Sequence, residues 1–288
     1  MTDSRSDRAA DVLTMNIETI MDLWRPNVNN RKAGVEWWNG SAERFAAKGL
    51  PTPMDSMAMR IIVREGMIEE GSSALDVGCG SGRFSFALEA MGADMTATDF
   101  SPKMIEQAEK RQAEAGTKVR FSTDDWHTLI LEKKDWAGKF DIVLAHMTPA
   151  VVSAETFLKL SEASRNWVLM VKPARRVNSV LDELNRLVKA EEDTKALDET
   201  MAYAFDLAWL KGYSPKFEYE NQTWEHDLPL DKAIEEYTLR ISSMHELTEE
   251  NKAAIKAHLE SIAVDGSVHE TSHTQIVAMY WQVKPCET

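Results

Sequence analysis

Cysteine is nearly absent from this chain of 288 residues, which contains only Cys79 and Cys286. These two residues cannot build a disulfide framework or a CxxC metal pair, so we expect a reducing environment and no metal site. Long apolar runs are also absent, since no stretch approaches the roughly 20 residues of a membrane span. The opening MTDSRSDRAADVL lacks the apolar core of a signal peptide. We therefore expect a cytoplasmic protein with no membrane partner.

Basic residues are few relative to acidic ones, with 33 Lys and Arg against 47 Asp and Glu and a formal net charge of -14 at pH 7. Nonspecific binding of nucleic acid needs basic surfaces that displace counterions, so this balance argues against nucleic acid as a partner. The composition is otherwise that of a globular protein, with 43% hydrophobic and 28% charged residues. The length allows one large domain or two small ones.

Residues 73–172 alternate short apolar runs with amphipathic segments. The runs SALDVG, DMTATD, KVRFS, FDIVLAH and NWVLMVK are predicted strands, and helices are predicted between them. Such alternation predicts βαβ units and a parallel sheet, with the ligand loops at the carboxyl edge of the strands. Two later segments, KFEYENQTWEH and HTQIVAMYWQVK, are also predicted strands.

A glycine-rich turn, LDVGCGSG, follows the first predicted strand and has one acid on each side of it in sequence. Asp76 precedes the first glycine, and Asp99 comes 21 residues after Gly78. A dinucleotide fingerprint requires glycine where this chain has Arg83, and Asp76 would repel a pyrophosphate. A nicotinamide-dependent oxidoreductase is therefore the weaker interpretation. S-adenosylmethionine has no phosphate, and its ammonium and ribose hydroxyls suit two carboxylates.

The segment LDVGCGSGRFSFALEAMGADMTATDFSPKMIEQA resembles the class I S-adenosylmethionine-dependent methyltransferases, and the similarity extends from about Ala74 to Val171. FSTDDWHTL and FDIVLAH follow in the family's order. The resemblance implies an α/β fold with a doubly wound, mostly parallel seven-stranded sheet and helices on both faces. It also implies S-adenosylmethionine as cofactor and S-adenosylhomocysteine as product.

The family's cofactor residues can be carried over one by one onto this sequence. The acid that contacts adenine matches Asp125, or Asp124 if the register shifts by one residue. Trp126 either contacts the cofactor or packs in the core. The residues matched to the cofactor are Asp76, Gly78, Cys79, Gly80 and Gly82 around the methionine end, Asp99 at the ribose, and Phe100, Asp125 and Trp126 at the adenine.

The segment HMTPAV follows the fourth strand, where amino-methylating relatives carry an Asn/Asp/Ser-Pro-Pro-aromatic motif. This chain lacks the amide or acid, the second proline and the aromatic residue. His146 is either a base for a hydroxyl or thiol acceptor or a residue that lines the cofactor pocket. After the fifth strand, Arg175 and Arg176, with help from Lys172, either bind a carboxylate or phosphate or are solvated.

The flanks of the central region supply helices and large apolar side chains. We predict a helical cap or lid at 1–60 and a methyltransferase domain at 61–288, with a helical insertion at 177–213 after strand five. Trp38 and Phe45 are the predicted walls of the acceptor pocket. The charged stretch 189–200 is predicted to be a solvated turn region, and the N-terminal segment is expected to fold over the cofactor in a ligand-dependent way.

The predicted function is methyl transfer to a small-molecule acceptor by in-line displacement. This chemistry requires alignment and exclusion of water, and a base only when the nucleophile retains its proton. A cofactor-binding module without turnover and a protein methyltransferase remain alternatives. The sequence does not identify the acceptor atom or the oligomeric state.

Overall fold

The computed structural model describes residues 16–26, 31–189 and 195–283 of the chain. The expectations for the opening MTDSRSDRAADVL and for Cys286 concern residues outside these ranges. The described helices are α1 (Ile17–Leu23), α2 (Arg31–Ala46), α3 (Met57–Arg64), α4 (Arg83–Glu89), α5 (Pro102–Ala115), α6 (Leu131–Lys134), α7 (Ala154–Ala163), α8 (Leu181–Leu187), α9 (Lys195–Leu210), α10 (Leu230–Ser242) and α11 (Glu249–Ile262). The described strands are β1 (Ser73–Val77), β2 (Asp94–Asp99), β3 (Arg120–Thr123), β4 (Phe140–His146), β5 (Ser164–Asn178), β6 (Lys216–Pro229) and β7 (Ser267–Gln282).

Across the described residues the strands form one seven-stranded sheet in the order β3-β2-β1-β4-β5-β7-β6. The pairings from β3 to β5 are parallel, as the alternation of strands and helices predicts. β7 runs antiparallel to both β5 and β6. The α/β fold and the seven strands are confirmed, but the sheet is mixed, and the expectation of a mostly parallel sheet needs that correction.

The helices that follow β1, β2 and β4 begin at the carboxyl edge of the sheet. Ser101 caps α5 by accepting a hydrogen bond from the backbone N–H of Met104 at 3.2 Å, and Pro102 occupies the first turn. Ser153 and Thr156 form a capping box at α7. These local signals fix where the chain turns back, so the loops that carry the predicted site residues meet at one edge.

The fifth strand is longer than its sequence predicts. We expected a strand that ends at Lys172 and a loop with Arg175 and Arg176, but both arginines lie within β5. Pro173 suggests a strand end because it cannot donate a ladder hydrogen bond. The structure accommodates this proline at a register shift between Pro173 and Arg175, after which pairing with β7 continues to Asn178. The expected helical insertion therefore begins after Asn178 rather than at residue 177.

Three hydrophobic clusters include residues of most helices, with α2 and α5 as exceptions among the described ones. α1 contacts α7 and α9 on one face, where Ile20 and Trp24 are buried. α3 is buried on the other face and crosses the boundary that we predicted at residue 60. α9 contacts β5 and α7, and it begins at Lys195, so part of the expected turn at 189–200 is helical. The third cluster joins α8, α10 and α11.

Candidate functional site

The glycine turn after β1 brings backbone close to neighbouring loops. The backbone N–H groups of Gly78 and Cys79 donate to the Thr98 carbonyl oxygen at 2.8 and 3.0 Å, which ties the turn to β2. Gly78 has φ +70°, and a Cβ built there would lie 2.7 Å from Thr148 Cβ. Glycine is required at this position both for its φ and for the lack of space.

Asp99 lies at the end of β2 and is 7% exposed. Its carboxylate accepts hydrogen bonds from the N–H of Gly80 at 2.9 Å and of Ser101 at 2.8 Å. Burial raises the pKa of Asp99, although these backbone hydrogen bonds oppose the shift. A carboxylate accepts about four hydrogen bonds, so two backbone donors leave acceptor sites for ligand hydroxyls.

Asp76, in β1, is the second buried carboxylate of the site and is 2% exposed. It accepts a hydrogen bond from Ser85 Oγ at 2.7 Å. Burial raises its pKa to about 7, and the nearby Asp99 raises it further, while the hydrogen bond from Ser85 opposes the shift. No cation neutralises Asp76 within the described ion pairs. A ligand ammonium would stabilise its ionised form.

The remaining side chains of the turn are small; Ser81 is buried and Cys79 is half-buried. Ser81 is 3% exposed, and its Oγ has no hydrogen-bond partner among the described residues. An unsatisfied buried hydroxyl costs about 1–3 kcal/mol, which a polar ligand atom would recover. The Cys79 thiol approaches the Gly80 carbonyl oxygen at 3.6 Å, and burial raises its pKa, so it is a neutral wall.

The loop after β3 carries the residues matched to adenine. Asp125 pairs with Arg31, the first residue of α2, and accepts from the backbone N–H of His127 at 3.0 Å. The fallback residue, Asp124, pairs instead with Lys134 at 2.7 Å. Trp126 is 2% exposed in the hydrophobic core, and its indole N–H donates to the Thr156 carbonyl oxygen at 3.0 Å. This position favours packing over a cofactor wall for Trp126. Phe100, next to Asp99, is half-buried.

The end of β4 presents His146 and then a strained residue. The His146 ring lies 4.0 Å from the Phe84 ring, between their centroids. Burial lowers the pKa of His146 to about 3, and the charge of Arg83 contributes to the same shift. Met147 has φ +51°, a conformation that costs a non-glycine residue about 1–3 kcal/mol. This turn directs Thr148 against Gly78, which connects the β4 loop to the glycine turn.

The cationic residues predicted after β5 do not form one group. Lys172 is buried and donates to the Val151 carbonyl oxygen, and burial lowers its pKa to about 8. Arg176 lies in the extended part of β5, where it donates to Thr274 Oγ1 at 3.2 Å and its guanidinium lies 5.2 Å from the Trp224 ring centroid. Arg175 is exposed one residue earlier in the strand. The expected loop after Lys172 is therefore wrong, because β5 continues through both arginines, and a role of Arg175 and Arg176 in binding an acceptor remains a prediction.

Helix α2 lies against the carboxyl edge and contacts α5 and α10. Asn39 Oδ1 accepts from Ser101 Oγ at 2.7 Å, directly beside Asp99. At the far end of α2, Arg44 pairs with Glu236 of α10 at 2.8 Å. Together with the Arg31–Asp125 pair, these contacts place α2 as the cover of the edge, between the β3 loop and α10.

The aromatic residues of α2 form a row along the helix. The ring centroids of Trp37 and Trp38 are 4.4 Å apart, and those of Trp38 and Phe45 are 5.6 Å apart. Both predicted wall residues, Trp38 and Phe45, are half-buried. Arg240 of α10 lies over the Trp37 ring at 5.7 Å. Sequence reasoning missed Arg31, Asn39 and Thr148, since polar residues in helices and loops carry no local signal of a distant partner.

The residues present fit a ligand that carries hydroxyls and an ammonium group. Asp99 offers acceptors, Asp76 offers a charge that burial leaves unsatisfied, and the turn leaves space by omitting Cβ atoms. Across the described ranges, no three His, Cys, Asp or Glu side chains are grouped so as to hold a metal ion. None of the described helices has the length and apolar composition to cross a bilayer.

Comparisons with known proteins show the family of this chain. A family model described as a methyltransferase domain matches residues 68–242, more than half of the chain. A ubiquinone biosynthesis O-methyltransferase of Xanthomonas campestris pv. campestris (strain B100) is 30% identical over 108 residues, 37% of this chain and 41% of that enzyme. One from Bordetella avium (strain 197N) is 29% identical over 127 residues, 41% of this chain and 50% of that enzyme. The matched regions thus span half or less of these relatives' length.

A solved structure supports the fold. Phosphoethanolamine N-methyltransferase 2 of Haemonchus contortus, in complex with S-adenosyl-L-methionine, superposes with a TM-score of 0.51 and 16% sequence identity. The match covers 94% of this chain and 60% of that protein. At this identity the likeness concerns the fold.

Proposed function

The chain belongs to the family of class I S-adenosylmethionine-dependent methyltransferases, and from this membership we propose that it transfers a methyl group to a small organic acceptor. The observation that carries the proposal is the Asp99 carboxylate, buried at the end of β2 and held beside the glycine turn by two backbone N–H groups. A fixed carboxylate at this edge suits a ribose diol.

The residues proposed to hold the cofactor divide by chemistry. Asp99 would accept the ribose hydroxyls, with Phe100 against the adenine and Asp125 within reach of its polar edge. Asp76 would face the ammonium group, and Gly78, Gly80 and Gly82 would leave room for the methionine portion. The unsatisfied Ser81 hydroxyl is a further donor or acceptor in this turn.

When bound, S-adenosylmethionine supplies a methyl group already activated by a sulfonium. The protein then has to align the acceptor and exclude water. Helix α2 serves the second purpose, because its contacts to Ser101, Asp125 and Glu236 hold it across the edge. Met147 and Thr148 hold the loop after β4 against the glycine turn, which restricts movement of both segments.

His146 is proposed to line the pocket rather than to act as a base. Its pKa of about 3 keeps the ring neutral at pH 7, but a group that binds protons this weakly gives little general-base catalysis. The acceptor would then be a nucleophile that ionises easily without help. Carboxylates, phenols and thiols meet this condition better than aliphatic alcohols.

Two observations favour a small acceptor over a macromolecule. The α2 cover encloses the edge with half-buried aromatic side chains, and the net charge of -14 disfavours nucleic acid. The similar proteins are described as O-methyltransferases of ubiquinone biosynthesis. Hydroxyl acceptors are therefore the first class to test.

Calorimetry with S-adenosylhomocysteine tests the cofactor site. Asp99→Ala should weaken binding by roughly 2–4 kcal/mol, as expected for two charge-assisted hydrogen bonds. Asp94→Ala is the matched control, since Asp94 begins the same strand, is exposed and pairs with Arg120. Equal affinity in the Asp99 variant would refute the site, and binding of a nicotinamide dinucleotide instead would favour an oxidoreductase.

Turnover is tested separately with an assay coupled to release of S-adenosylhomocysteine. A panel of phenols, carboxylic acids, thiols and amines should contain at least one acceptor that gives product. If the cofactor binds tightly, no compound of the panel is methylated and an added protein is methylated, the proposal of a small acceptor is wrong and the substrate is a protein.

A further inference from the structure

Four half-buried cations lie within or beside residues 44–49, which comprise the end of α2 and the turn that follows it. The group consists of Arg44, Lys48, Arg83 and Arg111, which come from α2, the following turn, α4 and α5. A basic cluster is unexpected in a chain with 47 acidic and 33 basic residues. Charged side chains in partly buried positions are normally paired with an opposite charge.

The contacts of three of these cations are to neutral groups. Arg83 Nε donates to the Gly49 carbonyl oxygen at 2.6 Å. Both terminal nitrogens of Arg111 donate to the Lys48 carbonyl oxygen at 3.4 Å, and the guanidinium of Arg111 lies 5.7 Å from the Phe86 ring centroid. Lys48 Nζ lies 4.6 Å from the centroid of the Phe45 ring.

Carboxylates do not neutralise these three residues. Among the described residues, no ion pair includes Lys48, Arg83 or Arg111, whereas Arg44 pairs with Glu236. Asp55 acts on Arg83 from a distance, but it is exposed and accepts from the backbone N–H of Thr52 at 2.7 Å. The charges therefore repel one another. Burial lowers the pKa of Lys48, and the charge of Arg83 lowers it further. Burial also lowers the pKa of Arg83, and the charge of Arg111 adds to that shift.

A purely structural role explains only part of this arrangement. The guanidinium groups of Arg83 and Arg111 do hold the 44–49 segment by its carbonyl oxygens. Neutral carbonyls do not cancel the charge, however, and Arg83 uses one of its five donors in the hydrogen bonds of the described residues. Apolar residues or a single arginine could hold the segment without the mutual repulsion.

We propose that Lys48, Arg83 and Arg111 form a binding site for a phosphate group, at the junction of α4, α5 and the 44–49 segment. Guanidinium forks and a lysine ammonium are the donors that phosphate oxygens require. A bound dianion would remove the repulsion between the three cations and thereby stabilise the docking of the segment that follows α2. Phosphate binding and the position of the α2 cover are then coupled, whatever the methyl acceptor is.

Titration of the full chain with inorganic phosphate at constant ionic strength tests the site, with binding followed by calorimetry. Lys48→Met and Arg111→Met should each weaken phosphate binding about tenfold or more, the loss of one charge-assisted hydrogen bond. Lys110→Met is the matched control, because Lys110 is exposed on the same helix as Arg111 and makes none of these contacts. Unchanged affinity in both cluster variants, or no phosphate binding by the wild-type chain, would overturn the proposal.

Two further arms separate this site from others. Phosphate should bind at least as tightly with saturating S-adenosylhomocysteine present, because both ligands would favour the docked α2 cover. Mutual exclusion would assign the cluster to the cofactor and overturn a separate site. Flotation with vesicles that contain phosphatidic acid, a phosphomonoester, against phosphatidylcholine vesicles distinguishes a lipid headgroup from a soluble phosphate. Vesicle binding lost in Lys48→Met identifies a headgroup as the source, and phosphate binding without vesicle binding identifies a soluble ligand.

Discussion

The two halves of the sheet differ in the length and direction of their strands. β1 to β4 contain four to seven residues, run parallel and end at one edge. β5, β6 and β7 contain 14 to 16 residues, and pairing of β7 with its neighbours is antiparallel. Helical crossovers return the chain after each short strand, so the first half has a fixed edge. In the antiparallel half no helical crossover ends the strands at that edge, and β5, β6 and β7 extend beyond the length of the parallel strands.

The difference separates two tasks. In the parallel half, close backbone approach and buried carboxylates form the proposed cofactor site. In the antiparallel half, the extended strands support α10, which contacts the cover helix α2. Substitutions in the first half should therefore affect cofactor binding most, and substitutions in the second should affect stability first.

Gly78→Ala should give the largest effect. Its added Cβ meets Thr148 and its φ is +70°, so we expect a loss of about 3 kcal/mol in the free energy of unfolding and no measurable cofactor binding. Gly116→Ala has the same φ of +70° with open space around it, and should cost only about 1 kcal/mol. Equal losses measured by chemical denaturation would show that conformation alone, and not the contact with Thr148, requires glycine.

Tyr237→Phe should affect stability without affecting the cofactor. Tyr237 is buried in α10 and donates to Glu270 of β7. Burial disfavours the Glu270 charge, but hydrogen bonds from Tyr237 and Asn178 outweigh it and hold the pKa of Glu270 below its usual value. Loss of the donor should reduce the free energy of unfolding by about 1–3 kcal/mol.

Because the pKa of Glu270 is depressed in the folded protein, its contribution to stability is present above the unfolded pKa and is lost as pH falls. The destabilisation by Tyr237→Phe should accordingly be smaller at acid pH. Tyr219→Phe, on exposed β6, is the control and should be neutral. A cofactor affinity that changes with Tyr237→Phe would contradict the division between the halves.

Asp76 predicts a pH dependence of cofactor binding. Its pKa of about 7 in the folded chain exceeds the ordinary value of 3.8, so between these two pH values the folded state binds more protons than the unfolded state. The contribution of Asp76 to the free energy of unfolding therefore falls as pH rises from 3.8 to about 7. A ligand ammonium requires the ionised form. Affinity for S-adenosylhomocysteine should thus rise about tenfold from pH 6 to pH 8.

Two controls sharpen the Asp76 prediction. Asp76→Asn should give an affinity that is flat across this range. Methylthioadenosine, which has no ammonium group, should bind the wild-type chain without pH dependence. A pH-dependent affinity for methylthioadenosine would mean that another group titrates.

Arg31→Gln should have the smallest effect. The Arg31 and Asp125 side chains are 46% and 29% exposed, and an ion pair this exposed contributes about 0–1 kcal/mol. Hydrogen exchange in the first turn of α2 should increase, while cofactor affinity changes less than about threefold. Lys32→Gln is the control. If cofactor binding does not raise protection in α2 of the wild-type chain, the expected ligand-dependent closure is wrong.

The parallel half could be predicted from sequence because its signals are local. Gly78, Asp76 and Asp99 stand at strand ends, and the caps at Ser101 and Gly116 mark α5. Because the crossovers between parallel strands are right-handed, residues at the ends of these strands lie at one edge of the sheet. The roles of the individual side chains remain predictions.

The antiparallel half could not be predicted to the same depth. Pro173 resembles a strand end, and only pairing with a strand about 100 residues later shows that β5 continues. We expect the N-terminal segment to act as one cover, but among its described helices α1 and α3 belong to the two cores, and α2 lies across the edge. Long-range contacts such as Asn39 with Ser101 leave no periodicity in the sequence.

The length of β6 has a consequence for how copies of this protein meet one another. In the described ranges β6 has no strand on its outer side, so it presents an edge of 14 residues. Edges of this length promote aggregation by pairing between molecules. Glu218 and Glu220 pair with Arg64 and Arg60 of α3, Glu225 and Asp227 add further acidic side chains, and Pro229 ends the strand without a donor. The charged side chains along β6 thus have a second effect besides their local contacts: together with Pro229 they disfavour pairing of this edge with another copy of the chain.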